Sequence, residues 1–181
     1  METRRADPIS ARPARAVPRP EAEPVLLGCH PGAGTSTLRV LLDAPWDLGA
    51  VRPDQVRVAT FGRPLVLVTR DDAIEHAVEV TQRITGGGTP VAALVVVASG
   101  GAESPGAAAQ LAALADRVGR VVRFPTVSRL QRTPLDEAAG VRLPKRARTA
   151  LDDIRAACAT PTAARAVALS AEGVFHPGPR P

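Results

Sequence analysis

The residues whose types and spacing point most sharply to chemistry in this 181-residue chain lie in one short segment, Gly28-Cys29-His30-Pro31-Gly32-Ala33-Gly34-Thr35-Ser36-Thr37. A short apolar run, Pro24-Val25-Leu26-Leu27, precedes it. The stretch Thr35 to Leu42 follows and reads as a short helix, stopped by Pro45. A glycine-rich turn between a strand and a helix is the context a phosphate loop requires. Gly32 and Gly34 let the backbone turn tightly and aim N–H groups at an anion, and the helix start adds a partial positive charge. The candidate nucleotide- or phosphate-binding residues are therefore His30, Gly32, Ala33, Gly34, Thr35, Ser36 and Thr37. The three hydroxyls offer donors to phosphate oxygens, and Ser36 is the candidate metal ligand. His30 donates to phosphate only when its ring is protonated.

Other chemistry-bearing residues point less sharply. Cys29 lies near a helix start, where a thiol can become nucleophilic, but a buried small hydrophobe is the common case. Cys29 and Cys158 do not make a disulfide framework or a zinc site. His76, with Glu75 and Glu79 in the acidic stretch Asp71–Glu79, reads as a solvated helix face, and His176 falls in the tail. The chain contains no Gly-x-Ser-x-Gly elbow and no HExxH pattern.

Alternating strand and helix signals must position the loop. Pro64 to Thr69 and Val91 to Ala98 are apolar, β-branched runs. Both are apolar on both faces, as in a parallel sheet covered by helices on two sides. Ile74, Ala77, Val78, Thr81 and Ile84 recur at helical spacing, with Asp71-Asp72 as cap chemistry before them and Gly86-Gly87-Gly88 after them. Ser104-Pro105 opens another helix, with Ala107, Leu111, Leu114, Ala115 and Val118 on its apolar face and Gly119 closing it. Arg120 to Phe124 reads as a fourth strand stopped by Pro125, and Pro144 to Cys158 as the last helix. Val56 to Thr60 is the candidate edge strand in the weakly patterned segment 43–63. The expected fold class is α/β: a small open, mostly parallel sheet with helices on both faces, a Rossmann-like or P-loop NTPase-like three-layer arrangement. The expected organisation is an arm over 1–23, an α/β domain over 24–159 and a flexible tail over 160–181.

The loop resembles the variant Walker A loop of ParA/MinD-type ATPases, Lys-Gly-Gly-x-Gly-Lys-[Ser/Thr]-Thr. His30 falls at the first lysine and Pro31 at the first glycine. Gly32 and Gly34 match glycines. Thr35 falls at the second lysine, Ser36 at the magnesium-binding hydroxyl and Thr37 at the following threonine. PLVLVTR, VAALVVVAS and RVVRFPTVSRLQRTPLDEA resemble later segments of that family, so the likeness spans roughly residues 24–140. Small actinobacterial proteins with a lysine-free loop of this kind are similar too. That similarity implies a setting among plasmid or conjugative-element genes. The resemblance also implies ATP or GTP with Mg2+ as the ligands to test.

Both lysines of the pattern are missing, and threonine cannot supply their charge to the β- and γ-phosphates. No strand before residue 64 ends in the aspartate of a Walker B site, and Asp43 and Asp47, after the short helix, are poor candidates. Losing both removes most of the electrostatic stabilisation of phosphoryl transfer. The sequence therefore predicts a non-catalytic module that binds a partner, with nucleotide or phosphate binding retained as an option. The first alternative is an active ATPase or GTPase whose lysine is supplied in trans or replaced by Arg39 or another basic group.

Charge supplies the second alternative. The chain has 22 arginines, one lysine and a formal net charge of +5. The arginine bias also fits codon usage in a GC-rich bacterium. The excess sits in 117–148, with nine basic and two acidic residues, net +7. Arg142, Lys145, Arg146 and Arg148 form its densest part and would attract nucleic acid, acidic lipid or an acidic partner. A DNA-associated accessory protein would use this strip through backbone phosphate contacts, because the few aromatics are scattered. There is no 18-residue apolar run, and the first 20 residues do not read as a secretory leader, so a reducing cytoplasm is the expected compartment.

Overall fold

The computed structural model describes residues 23–51, 58–101 and 105–160. All but Glu23 of the expected arm, all but Thr160 of the expected tail, Val56, Arg57 and the Ser104 cap lie outside the described residues. Five strands form one sheet: β1 (Val25–Gly28), β2 (Trp46–Ala50), β3 (Leu65–Arg70), β4 (Val91–Val97) and β5 (Val121–Phe124). Every pairing is parallel, and the order is β2-β1-β3-β4-β5. Five helices accompany them: α1 (Thr35–Leu42), α2 (Ile74–Gly86), α3 (Pro105–Ala115), α4 (Ser128–Arg132) and α5 (Lys145–Ala159), with a 3₁₀ turn over Leu135–Gly140.

Strand alternation sorts the core into two layers. Leu26, Val66, Val68, Ala93, Val95, Val122 and Phe124 face α1 and α5, where Leu38, Ala147, Leu151 and Ile154 meet them. Val25, Leu27, Leu65, Leu67, Leu94 and Val96 face α2 and α3, against Ile74, Val80, Leu111 and Leu114. The central strands β1, β3 and β4 are buried along nearly their whole length. This is the doubly covered parallel sheet that the apolar runs predict. The chain leaves β1 toward β2 on one side and returns to β3 on the other. A topological switch point therefore lies between the carboxyl ends of β1 and β3, where such sheets hold ligands.

Local expectations are corrected in four places. The edge strand is Trp46–Ala50, not Val56–Thr60, and the described residues 58–60 are outside any strand. Its Asp and Gly are poor strand formers, so pattern alone hides it, while pairing with β1 holds it. Asp71 and Asp72 do not cap α2. The N-cap position is Ala73, with no side-chain cap bond. Asp71 Oδ1 instead accepts the N–H of Ser99 at 2.8 Å, tying the ends of β3 and β4 together. Asp43, in the left-handed region at φ 54°, ends α1, and Pro45 comes only after the turn. Gly119 does not cap α3, which ends at Ala115. Its N–H donates to the Val91 carbonyl at 2.8 Å, and a Cβ there would sit 2.6 Å from the Ala92 carbonyl oxygen.

The backbone of β4 thus requires a residue without a side chain at 119. Gly119→Ala should cost about 1–3 kcal/mol through this overlap, read as a lower urea midpoint. An unchanged midpoint would show that the turn into β5 yields freely.

Candidate functional site

The glycine-rich loop emerges from β1 into the switch point, as its sequence context requires. Gly32 and Gly34 adopt φ of 80° and 93°, in the left-handed region that favours glycine. Gly34 is also the N-cap of α1, and no side-chain bond closes the helix start. The N-cap residue therefore offers no side-chain acceptor to the first-turn N–H groups and their partial positive charge. One bond inside the loop, from the Ala33 N–H to the His30 carbonyl at 3.3 Å, folds it back on itself.

The candidate residues separate onto three sides of the loop. Gly32, Ala33, Gly34 and Thr37 line a cleft of about 180 Å³, completed by Arg70, Val97, Ala98, Phe124, Pro125 and Thr126 among others. Thr35 turns inward: it is buried, and its Oγ1 would lie 2.7 Å from a Cβ at Gly28. Gly28 is what lets this hydroxyl seat against the strand end. Where the resembled Walker A pattern has its second lysine stands a packed threonine.

Ser36 points toward β2. Its hydroxyl donates to Asp47 Oδ2 at 3.0 Å, while Asp47 Oδ1 accepts the Gly49 N–H at 2.8 Å. Asp47 is thus brought to the candidate metal-binding hydroxyl, which its position after a short helix concealed. The pair clamps the edge strand to α1. Two hard oxygens suit Mg2+ in kind, but neither residue lines the cleft and both carboxylate oxygens are engaged. Among the described residues, no three His, Cys, Asp or Glu side chains group so as to hold a metal ion. The donors do not fit a magnesium ion bridging a phosphate in the cleft.

His30 is also committed elsewhere. Its Nδ1 donates to the Pro31 carbonyl at 2.8 Å, and its Nε2 accepts the Arg70 backbone N–H at 3.3 Å. This pair of bonds matches the tautomer that carries its proton on Nδ1. The ring locks the loop to the end of β3 instead of reaching an anion. His76 lies 5.6 Å away between ring centroids, exposed and beside Glu75 at 3.4 Å.

The cleft's cation is one the sequence did not single out. Arg70, the last residue of β3, lines the cleft and is held by Asp72, Nε to Oδ1 at 3.3 Å. Its only signal in the sequence was its place at the end of an apolar strand. Arg39, proposed as a substitute for the lysine, sits in the last turn of α1 and does not line the cleft. Lys145 begins α5, and with Arg146 it lines a different groove. Arg142 and Arg148 are exposed nearby.

Both cysteines are buried among apolar side chains. Desolvation pushes the thiols of Cys29 and Cys158 up from 9.0 to about 12, although the Val68 backbone bond lowers Cys29 slightly. Cys29 is therefore a small core hydrophobe, not a nucleophile.

No protein-family model matches this chain, and neither a curated protein nor a solved structure does. No helix of the described residues is long and apolar enough to cross a membrane.

The raised thiols carry a pH prediction. Between pH 9.0 and about 12 the folded chain binds more protons at these cysteines than the unfolded chain does. The stability they contribute is complete below pH 9.0 and is lost as pH rises toward 12. Ellman's reagent should leave both thiols unmodified in the native protein at neutral pH and titrate both in urea. Fast native reaction of Cys29 would contradict its burial.

Proposed function

We propose that this chain is a non-catalytic ParA/MinD-like module that binds a phosphate-bearing ligand of the nucleotide class and acts through a protein partner. The observation that carries this reading is the cleft itself. A glycine-built loop and an uncapped helix start face a cavity whose described lining contains one arginine and no hydrolytic group. Anion recognition needs donors and positive charge, which Gly32–Gly34, the α1 terminus and Arg70 supply. Phosphoryl transfer needs more: a cation on the transferred group, a metal ion and a positioned nucleophile. Thr35 and His30 are turned away, and Ser36 and Asp47 are bonded to each other outside the cavity.

The volume, about 180 Å³, is below the ~300–1,000 Å³ of typical ligand pockets. It suits the phosphate end of a ligand, with the remainder over the more exposed Pro125 and Thr126. The salt bridge to Asp72 keeps part of the Arg70 charge from the ligand and predicts modest affinity. From the family resemblance comes the setting: a regulatory or accessory protein of a bacterial mobile element.

Calorimetry with ATP, GTP and their diphosphates, with and without magnesium, tests the reading. Binding should be detectable and largely independent of magnesium. Arg70→Ala should weaken it about tenfold or more, the worth of a charged hydrogen bond. Asp72→Asn should strengthen it about two- to fivefold by releasing Arg70. Hydrolysis of ATP or GTP should not exceed that of Ser36→Ala. Absence of binding by every nucleotide, or turnover well above the Ser36→Ala level, would refute the proposal.

A further inference from the structure

The opposite edge of the sheet carries a second cavity. A groove of about 770 Å³ follows β5, the end strand, between α3 and α5. Its apolar lining is Ala108, Leu111, Ala112, Val121 and Val122, with alanines where larger side chains would have filled the space. Among the described residues, its charged lining is Arg120, Arg123, Lys145 and Arg146 against one carboxylate, Asp153. Asp153 is already paired with Arg120 at 2.9 Å, and Arg123 has a partner within the chain. The groove therefore carries a net excess of positive charge.

Stability does not account for that charge. Lys145 and Arg146 occupy the first turn of α5, which contains no acidic residue. Cations at a helix start oppose the macrodipole. Their placement weakens α5 and strengthens the field in the groove.

We propose that this groove docks an extended, acidic segment of a partner protein along β5. Three features choose that occupant. The positive excess requires acidic side chains. The alanine- and valine-lined floor along a strand edge fits an extended polypeptide, in the manner of strand addition. No aromatic side chain lines the groove, so it lacks the stacking platform that single-stranded nucleic acid uses. A second copy of this chain, itself at net +5, is the poorer electrostatic match. The inference does not depend on the phosphate cleft, which lies over different residues.

The test uses the full chain with a fluorescein-labelled peptide alternating Asp or Glu with Val. A mixed-sequence single-stranded oligonucleotide serves as the competing probe. Anisotropy should report peptide binding that weakens with salt, and the oligonucleotide should bind more weakly. The double variant Lys145→Glu/Arg146→Glu should lose about tenfold or more in peptide affinity. It should also melt no lower than the parent, because acidic residues suit a helix start. Loss of binding then cannot be unfolding. Arg142→Glu, outside the groove lining, should change affinity far less. The proposal is overturned by any of four results: no peptide binding, equal loss in both variants, preference for the oligonucleotide, or self-association of the chain that the double variant abolishes.

Discussion

The pairing of β1 with β3 is the constraint on which the candidate site depends. Two short strands, Val25–Gly28 and Leu65–Arg70, run side by side in register from Val25 against Leu65 to Gly28 against Val68. Their residues are almost wholly shielded from water, so a slip of one residue would exchange the two core layers and expose neither. What fixes the register beyond burial is the fit at the carboxyl end. The Cys29 N–H reaches the Val68 carbonyl, and the His30 ring receives the Arg70 N–H. This pairing sets the glycine loop beside the arginine that gives the cleft its charge. In the proposed reading, neither element would make an anion site without the other.

In the proposed reading, electrostatics separates recognition from catalysis. The single lysine of the chain lies at the start of α5, on a groove remote from the loop residues. The position that would hold a lysine in the loop holds Thr35, packed against Gly28. Charge reaches the cleft from a neighbouring strand instead, through Arg70, and Asp72 tempers it. The Ser36–Asp47 pair gathers a hydroxyl and a carboxylate of the right types, yet uses them to fasten an edge strand. The same residue types thus serve architecture where a hydrolase would use them for a metal ion.

The sequence disclosed what periodicity and burial determine. A mostly parallel sheet with helices on both faces was legible in the apolar runs Pro64–Thr69 and Val91–Ala98, since each must be covered twice, and the sheet is parallel throughout. The loop and α1 were legible from Gly32, Gly34 and the helical stretch after them. β2 was not, because Trp46-Asp47-Leu48-Gly49-Ala50 is mostly exposed and is ordered by its neighbour, not by its own pattern. The Ser36–Asp47 bond stayed hidden for the same reason: it exists only once β2 is placed. Asp71 looked like a cap from its position before α2, but an unpaired N–H at Ser99 competes for it across the sheet. Arg70 was obscured by the 22 arginines of the chain, because nothing local distinguishes a cation that lines a cleft from one in solvent.

The central claim is that the Gly32–Gly34 loop receives a phosphate group without hydrolysing its ester. Its most direct test is an NMR titration of the isotopically labelled chain with ADP and then ATP, following backbone amides and the phosphorus signals of the nucleotide in one sample. The account predicts that amide resonances of Gly32, Ala33 and Gly34 and the Arg70 side-chain Nε–H shift together on addition of either nucleotide. The ATP phosphorus spectrum should persist unchanged over the experiment. Shifts confined to other regions, or steady conversion of ATP to ADP and phosphate, would contradict it.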